Sequence, residues 1–383
     1  MTDLAAAKKL SWDIADPAHA HTMPSRFFYD AGVFAAERER IFYKGWHAVG
    51  HVNEFSEPGS YLTQEIFDQS LIVVAGRDGE VRAFHNVCQH RGNRLLMERR
   101  GKLSTVIRCG YHSWCYDMAG ALRNAPRSER LEDFDKSQYG LKPVRLEKLG
   151  GFYFVNLDPA ATPLAETAPG AEAEMRRFLP DLDRMQLLDE VDVVVPANWK
   201  VIMDNSIEGY HFDLSGPVHK HLASLIDFKQ YRLTAHDKWW TYMAPPKAGA
   251  SSAYGEPLDG AAWQTDWFFN IGIWPNTTFY CFPFTDMVAT FIMMPLEPEK
   301  SLLRFGYYRP ERPMPKVTAA SIRWMNEELG PEDIQLNVTN QKGLRSFGYD
   351  QGRYLVDAER SNESEHLVHH FHSLVYQSLQ PAP

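Results

Sequence analysis

The chain has 383 residues and carries 40 Lys plus Arg against 49 Asp plus Glu, a formal net charge of −9. That balance excludes the basic face of a nucleic-acid binder, and the length has room for two domains. At 44% hydrophobic and 13% aromatic residues the chain can bury a large core.

The N-terminus, Met-Thr-Asp-Leu-Ala-Ala-Ala-Lys-Lys-Leu, lacks the long apolar stretch of a signal peptide. No apolar run approaches the roughly 20 residues that would span a bilayer. The four cysteines are Cys88, Cys109, Cys115 and Cys281. With two of them set aside for a metal cluster, no disulfide framework remains, and a soluble protein of a reducing cytoplasm is expected. Residues 1–45 read as a polar segment followed by a helix over 27–42, which is expected to pack on the larger domain. Residues 46–157 change to short β-like runs. Leu71–Ala75 and Val81–Phe84, joined through Asp78-Gly79, read as a hairpin. A second hairpin is expected around Trp114–Tyr116 and Ala121-Leu122, and a buried strand over 151–157.

Within this β-rich stretch lie Cys88-Gln-His90 and Cys109-Gly-Tyr-His112. The set is two thiolates and two imidazoles, with one sulfur and one nitrogen on each loop. In a Rieske [2Fe–2S] cluster two cysteines hold one iron and two histidines the other. Zinc also takes Cys₂His₂, but its fingers usually run Cys, Cys, His, His. The alternation favours the cluster, with Cys88, His90, Cys109 and His112 as ligands. Gly92 and Gly110 suit loops whose backbone comes close to a cluster or takes positive φ. Such a cluster moves single electrons and does no substrate chemistry, so it demands a second site.

Residues 158–172 read as a Pro/Ala/Thr-rich linker, and a larger unit fills 158–383. Helices are expected at 172–178, about 204–226, 316–347 and 363–378. Strands are expected at 191–196, 238–243, 265–273, 278–283, 287–294 and 302–308. The fold class is α+β: a small all-β domain, then a catalytic domain with an antiparallel sheet packed against helices. No Gly-x-Gly-x-x-Gly follows a strand, so no nucleotide site is visible. After Asn198-Trp-Lys come His211, His219 and His221, which compete to bind one metal. A 2-His-1-carboxylate triad holds Fe(II) on one face and leaves the other open. The carboxylate is sought far along the chain, at Glu332-Asp333.

These motifs resemble the catalytic (alpha) subunits of the Rieske non-haem iron oxygenases, the aromatic-ring-hydroxylating oxygenase superfamily. The resemblance rests on Cys88-Gln-His-Arg-Gly, Cys109-Gly-Tyr-His-Ser-Trp, Asn198-Trp-Lys, Glu208-x-x-His211 and Glu332-Asp333 through Gln341-Lys-Gly-Leu. It is strongest to the single-subunit, homotrimeric betaine and carnitine monooxygenases. It implies that His211 is the first iron histidine and Asp333 the carboxylate. It implies that Glu208 links the mononuclear iron to a Rieske histidine of a neighbouring subunit. The family leaves four or five residues between its two histidines; here seven stand between His211 and His219, which reads as an insertion turned by Gly216-Pro217. His219 is taken as the second ligand, with His221 as the alternative. Ser113 stands where the family usually has Gly. The resemblance further implies a reductase or ferredoxin donor, O₂ as co-substrate, and a small organic substrate that is hydroxylated or oxidatively N- or O-dealkylated. Ring cis-dihydroxylation and a non-catalytic electron carrier are the alternatives.

The remaining clusters have plainer readings. His366, His369, His370 and His372 read as a packing helix, because no carboxylate or thiolate pattern accompanies them. Cys115 reads as a small buried hydrophobe, and Asn205 as either a helix cap or a polar neighbour of the iron. Trp239, Trp240, Trp263, Trp267, Phe268, Phe269, Trp274, Tyr280, Phe282 and Phe284 read as core, or as the lining of a pocket for an aromatic ring or a quaternary ammonium. Arg91, Arg94, Arg99, Arg100 and Lys102 read as a solvated face or a landing patch for an acidic electron donor.

Overall fold

The structure, a computed structural model, describes residues 12, 14, 16–258 and 267–380. Trp263 and the start of the strand expected at 265 lie outside the described residues. The chain divides into two compact units, Tyr43–Leu164 and a second made of Met1–Phe42 with Ala165–Pro383.

The first unit is all β with short 3₁₀ turns. Its main sheet has seven strands in the order His47–His51, Phe152–Asn156, Pro143–Leu149, Val81–His85, Gln69–Ala75, Ser60–Ile66, Arg100–Lys102. Every pairing is antiparallel. The Asp78-Gly79 hairpin forms as the sequence implies, with Gly79 at φ 84 and Gly76 N–H donating to the Glu80 carbonyl at 2.7 Å. A smaller sheet of Ile107–Arg108, Cys115–Tyr116 and Leu122–Asn124 contains the second hairpin. Its core joins Ile72, Val74, Phe84, Ile107, Trp114 and Tyr116 to Cys88 and Cys109.

The second unit is built on another seven-stranded antiparallel sheet. Its order is Met185–Val195, Lys300–Pro310, Val288–Glu297, Thr277–Cys281, Phe268–Ile273, Trp239–Ala244, Arg232–Ala235. The central strands, such as Phe268–Ile273 and Thr277–Cys281, are buried at every residue. This explains why they read as continuous apolar runs and not as alternating ones. The edge strand Met185–Val195 is partly exposed. Helix Trp199–Ser206 packs on strand Val288–Glu297 and on helix Gly330–Leu344. Asn198 caps its start by accepting from Lys200 N–H at 2.9 Å, and the Asn198 N–H donates to Gln341 Oε1 at 2.8 Å. The Asn-Trp-Lys motif is therefore structural. Trp199 Nε1 donates to Glu37 at 3.0 Å and the wholly buried Lys200 pairs with the same carboxylate at 2.5 Å.

Two expected helices differ from the structure. The segment 204–226 is not one helix: Trp199–Ser206 ends, ten residues of turn follow, and a new helix runs Pro217–Leu225. Proline at its first position cannot continue a preceding helix but starts one well. The segment 316–347 is helical but not uniform. Lys316–Trp324 passes through a π-helical turn, Met325–Leu329, into Gly330–Leu344. Gly330 N–H reaches back five residues to the Met325 carbonyl, just before Pro331, which has no N–H to give.

Candidate functional site: a cluster cradle and a two-histidine, one-carboxylate centre

The first site lies on two loops of the all-β unit. In the first loop Cys88 N–H donates to the Asn93 carbonyl at 2.8 Å and Gly92 N–H donates to the Cys88 carbonyl at 3.0 Å. In the second, Cys109 N–H donates to the Trp114 carbonyl at 2.8 Å and Ser113 N–H to the Cys109 carbonyl at 3.1 Å. Gly92 has φ 72, as its place in the loop requires, whereas Gly110 is not left-handed and a Cβ there would meet open space. Ser113 instead holds the left-handed turn, at φ 58. For a residue with a Cβ that conformation costs about 1–2 kcal/mol, which explains why glycine is favoured at this place.

The two sulfurs are buried and free of disulfides, and both imidazoles are exposed. His90 and His112 lie side by side, ring centres 4.7 Å apart, and His90 stacks on Trp114 at 4.8 Å. The Tyr116 hydroxyl lies 3.3 Å from Cys88 Sγ and accepts from Gln89 N–H at 2.9 Å. Asn93 Nδ2 lies 3.6 Å from Cys109 Sγ. Burial raises the Cys88 thiol. Burial acts the same way on Cys109, but N–H donors from Tyr111 and His112, with Cys88 and Asn93, outweigh it and hold its thiolate low. Sulfurs within and imidazoles at the surface suit an electron carrier whose histidine edge exchanges electrons. Of the flanking cations, Arg94, Arg100 and Lys102 pair with Glu65, Glu54 and Glu57, and Arg99 is held by Gln64 and backbone carbonyls. Arg91 is exposed over the Tyr111 ring.

The second site lies wholly in the second unit. His211, His219 and Asp333 form a group that could hold a metal ion, each offering a ligand atom within 4.8 Å of the others. His211 sits in the turn after helix Trp199–Ser206, His219 in the first turn of helix Pro217–Leu225, and Asp333 in the first turn of helix Gly330–Leu344. The loop between the two histidines, closed by Ser215 N–H donating to the His211 carbonyl at 2.8 Å, accounts for their wide spacing.

Each imidazole is oriented by a glutamate. His211 Nδ1 bonds Glu208 Oε1, and His211 N–H donates to Glu208 Oε2 at 3.2 Å. His219 Nδ1 bonds Glu332 Oε1 at 2.5 Å, and His219 N–H reaches the same oxygen at 3.0 Å. A carboxylate accepts, so each Nδ1 carries the ring proton and each Nε2 presents a lone pair. Those lone pairs point at one place: Asp333 Oδ1 is 3.0 Å from His219 Nε2 and 3.7 Å from His211 Nε2. Yet Asp333 Oδ1 is buried and has no hydrogen-bond partner. Three electron pairs facing one another repel unless a cation stands among them, so the donor set fits a metal. Burial opposes a charge on His219, but Asp333 and Glu332 outweigh it and raise its pKa. Carboxylate–histidine–metal chains of this kind fix tautomer and ring angle.

The sequence missed the role of Glu332, which was weighed only as an alternative ligand; it grips His219 from behind. His221 is outside the group and packs near Tyr254 and Trp324. Asn205 does not cap a helix; its amide is 3.4 Å from His211 Nε2. Next to the triad is a cavity with about 580 Å³ of empty space, part of it open to solvent. Of the expected aromatics, Phe268, Tyr280 and Phe282 line it; Phe212, Tyr242, Phe291 and Phe305, which the sequence did not single out, complete the wall. The histidines of helix His366–Leu379 face a core in which His369 and His372 are buried, and burial depresses His369 to about 4.

Comparison with known proteins decides the family. Residues 45–135 match the Rieske [2Fe-2S] domain and residues 182–380 the ring hydroxylating alpha subunit (catalytic domain). The chain belongs to the Rieske-type ring-hydroxylating oxygenases. It is similar to the carnitine monooxygenase oxygenase subunit of Escherichia coli (strain K12), at 35% identity over 95% of both chains. It is also similar to the chloroplastic choline monooxygenase of Spinacia oleracea, at 28% identity over 95% of this chain and 80% of that one. The quaternary ammonium Rieske monooxygenase CntA, solved with L-carnitine, superposes with a TM-score of 0.85 at 32% identity, over 96% of this chain and 98% of the other. Naphthalene 1,2-dioxygenase from Rhodococcus sp., at 20% identity and TM-score 0.78, shares the fold. As a Rieske oxygenase the protein is an enzyme with a Rieske [2Fe–2S] cluster and a mononuclear Fe(II) as cofactors. It is a terminal oxygenase, fed by a partner reductase, that uses O₂ to hydroxylate or oxidatively dealkylate a small organic substrate.

Proposed function

We propose that this oxygenase oxidises an N-methyl group of a small quaternary ammonium compound, with His211, His219 and Asp333 holding the iron and Cys88, His90, Cys109 and His112 holding the cluster. The observation that carries the reading is the cavity at the triad, walled by seven aromatic rings. Aromatic faces attract a desolvated cation, by about 2 kcal/mol or more for a well-placed ring. The similarity to carnitine and choline monooxygenases supports the same class.

The iron, held by His211, His219 and Asp333, would supply the redox chemistry that activates O₂ with electrons from the cluster. The chain does the rest. Glu208 and Glu332 hold the two imidazoles with Nε2 forward. The aromatic wall excludes water and sets the cation's methyl groups against the triad. Tyr242 and Tyr280 turn their hydroxyls onto the Ser206 carbonyl, so their rings and not their oxygens face the substrate. In the overall reaction one oxygen atom enters a methyl C–H bond and the other takes two electrons and two protons to become water; the hydroxymethyl group then loses its O–H proton and leaves as formaldehyde, the C–N electron pair staying on nitrogen as a tertiary amine.

Glu208 has a second role in this reading. It carries electrons from a Rieske histidine of the neighbouring subunit in a homotrimer; inter-subunit electron transfer is described for a quaternary ammonium Rieske monooxygenase 32% identical to this chain. The cytoplasm is the proposed location, consistent with four free cysteines and with no helix among the described residues long and apolar enough to cross a membrane. The test is His219→Ala. Mononuclear iron and formaldehyde release should be lost while the Rieske absorption and EPR spectra persist. A variant that keeps both iron and turnover removes His219 from the ligand set.

A further inference from the structure

Carboxylates and cations are unevenly distributed around the cavity. Among the described residues that line it there is no Lys or Arg. The charged group on the wall outside the histidines is Asp333, an anion. A second cavity shares Asn205, His211 and Asn337 with the first, and Asp204, Glu208 and Glu365 line it. The buried cations of this unit already face carboxylates: Lys200 with Glu37 at 2.5 Å, Arg304 with Asp192 at 2.6 Å, and Arg309 with Asp286 at 2.6 Å. Burial raises the phenols of Tyr242 and Tyr280, so they remain neutral. The Ser206 hydroxyl is spent on the Met203 carbonyl at 2.9 Å.

We infer that the substrate is a quaternary ammonium compound whose remaining substituent carries no carboxylate or other anion. The inference rests on the proposed function and narrows it. A carboxylate brought into this cavity would lose its hydration without a guanidinium or ammonium to replace it; the iron is the cation left to pair with it, and a carboxylate on the iron would compete with O₂ for the open positions. A cation gains from the aromatic faces, and Asp204 and Glu208 of the adjoining cavity are carboxylates that the iron does not claim as ligands. An alkyl, aryl or hydroxyalkyl substituent meets an apolar wall of Leu222, Phe291, Met293, Leu303 and Phe305, with the Asn337 amide as a neutral polar partner.

A matched pair tests this. γ-Butyrobetaine and n-butyltrimethylammonium have near-equal length and the same head group, and differ in the carboxylate. The iron-loaded holoenzyme, supplied with a surrogate reductase, NADH and O₂, is assayed for formaldehyde release and for equilibrium binding of each compound. The expected result is at least a tenfold higher kcat/KM for n-butyltrimethylammonium, with tighter binding. Equal or reversed preference overturns this inference and leaves the proposed function standing. Absence of binding and turnover for both compounds overturns the two together.

Discussion

At the scale of single residues, the two glutamates behind the histidines carry most of the site's precision. Neither is a ligand in our reading, and each fixes one ring by its Nδ1. A third glutamate shows what the same neighbourhood does to a carboxyl without a cation. Glu365 is half-buried, accepts from Leu355 N–H at 2.6 Å, and is pushed up to about 7, first by burial and then by Glu208 and Asp204. A carboxyl raised on folding favours the folded state in its protonated form. The stability it gives is complete below its ordinary pKa of about 4.5 and is lost as pH rises through about 7. Glu365→Gln keeps an acceptor for Leu355 without the titration. It should be near neutral at pH 4 and stabilise the protein by about 3 kcal/mol at pH 8, a shift visible as a higher Tm. An equal effect at both values would show that Glu365 does not titrate in this range.

At the scale of elements, the break between helices Trp199–Ser206 and Pro217–Leu225 decides the metal site. Gly216 stands just before the second helix, and a Cβ there would come within 1.8 Å of Glu332 Oε2. The missing side chain lets the Glu332 carboxylate sit at the helix N-terminus, where it accepts from His219 N–H and holds the ring. The spacing of seven residues that looks irregular in the sequence is thus a loop plus a first helical turn. Gly216→Ala meets the flexible end of a side chain, so the fold should survive within about 1 kcal/mol. Glu332 must swing away, and affinity for the mononuclear iron should fall about 10–100-fold. Metal titration of the iron-depleted centre, with the cluster spectrum as an internal control, reads both effects. The π-turn at Met325–Leu329 acts in the same way on the far ligand. Its extra residue changes the face on which helix Gly330–Leu344 presents Asp333.

At the scale of the whole molecule, the second unit is sewn together from distant parts of the chain. Residues before 43 group with those after 164, and one of the links between them is a buried ion pair of Glu37 with Lys200, to which Trp199 adds a hydrogen bond. Removing one partner of such a pair strands the other charge, so Glu37→Ala should cost about 3–5 kcal/mol, whereas replacing both by apolar residues should cost much less. Denaturant titration of the single and double variants checks this, and a small single-variant effect would count against the pair as an anchor. The sequence by itself determined the cofactor chemistry, because ligand type and close spacing within Cys88-x-His90 and Cys109-x-x-His112 are local and leave few alternatives. It determined most strands of the core sheet as well, through runs of apolar residues that only a doubly covered sheet accommodates. Tertiary structure decided what depends on contacts between distant residues. It brought His219 and not His221 beside His211 and Asp333, set Glu332 against the back of the His219 ring, and brought Phe212, Tyr242, Phe291 and Phe305 to one wall. No local pattern encodes those choices, since helix direction, loop path and strand register set them, and each is fixed by packing across the fold.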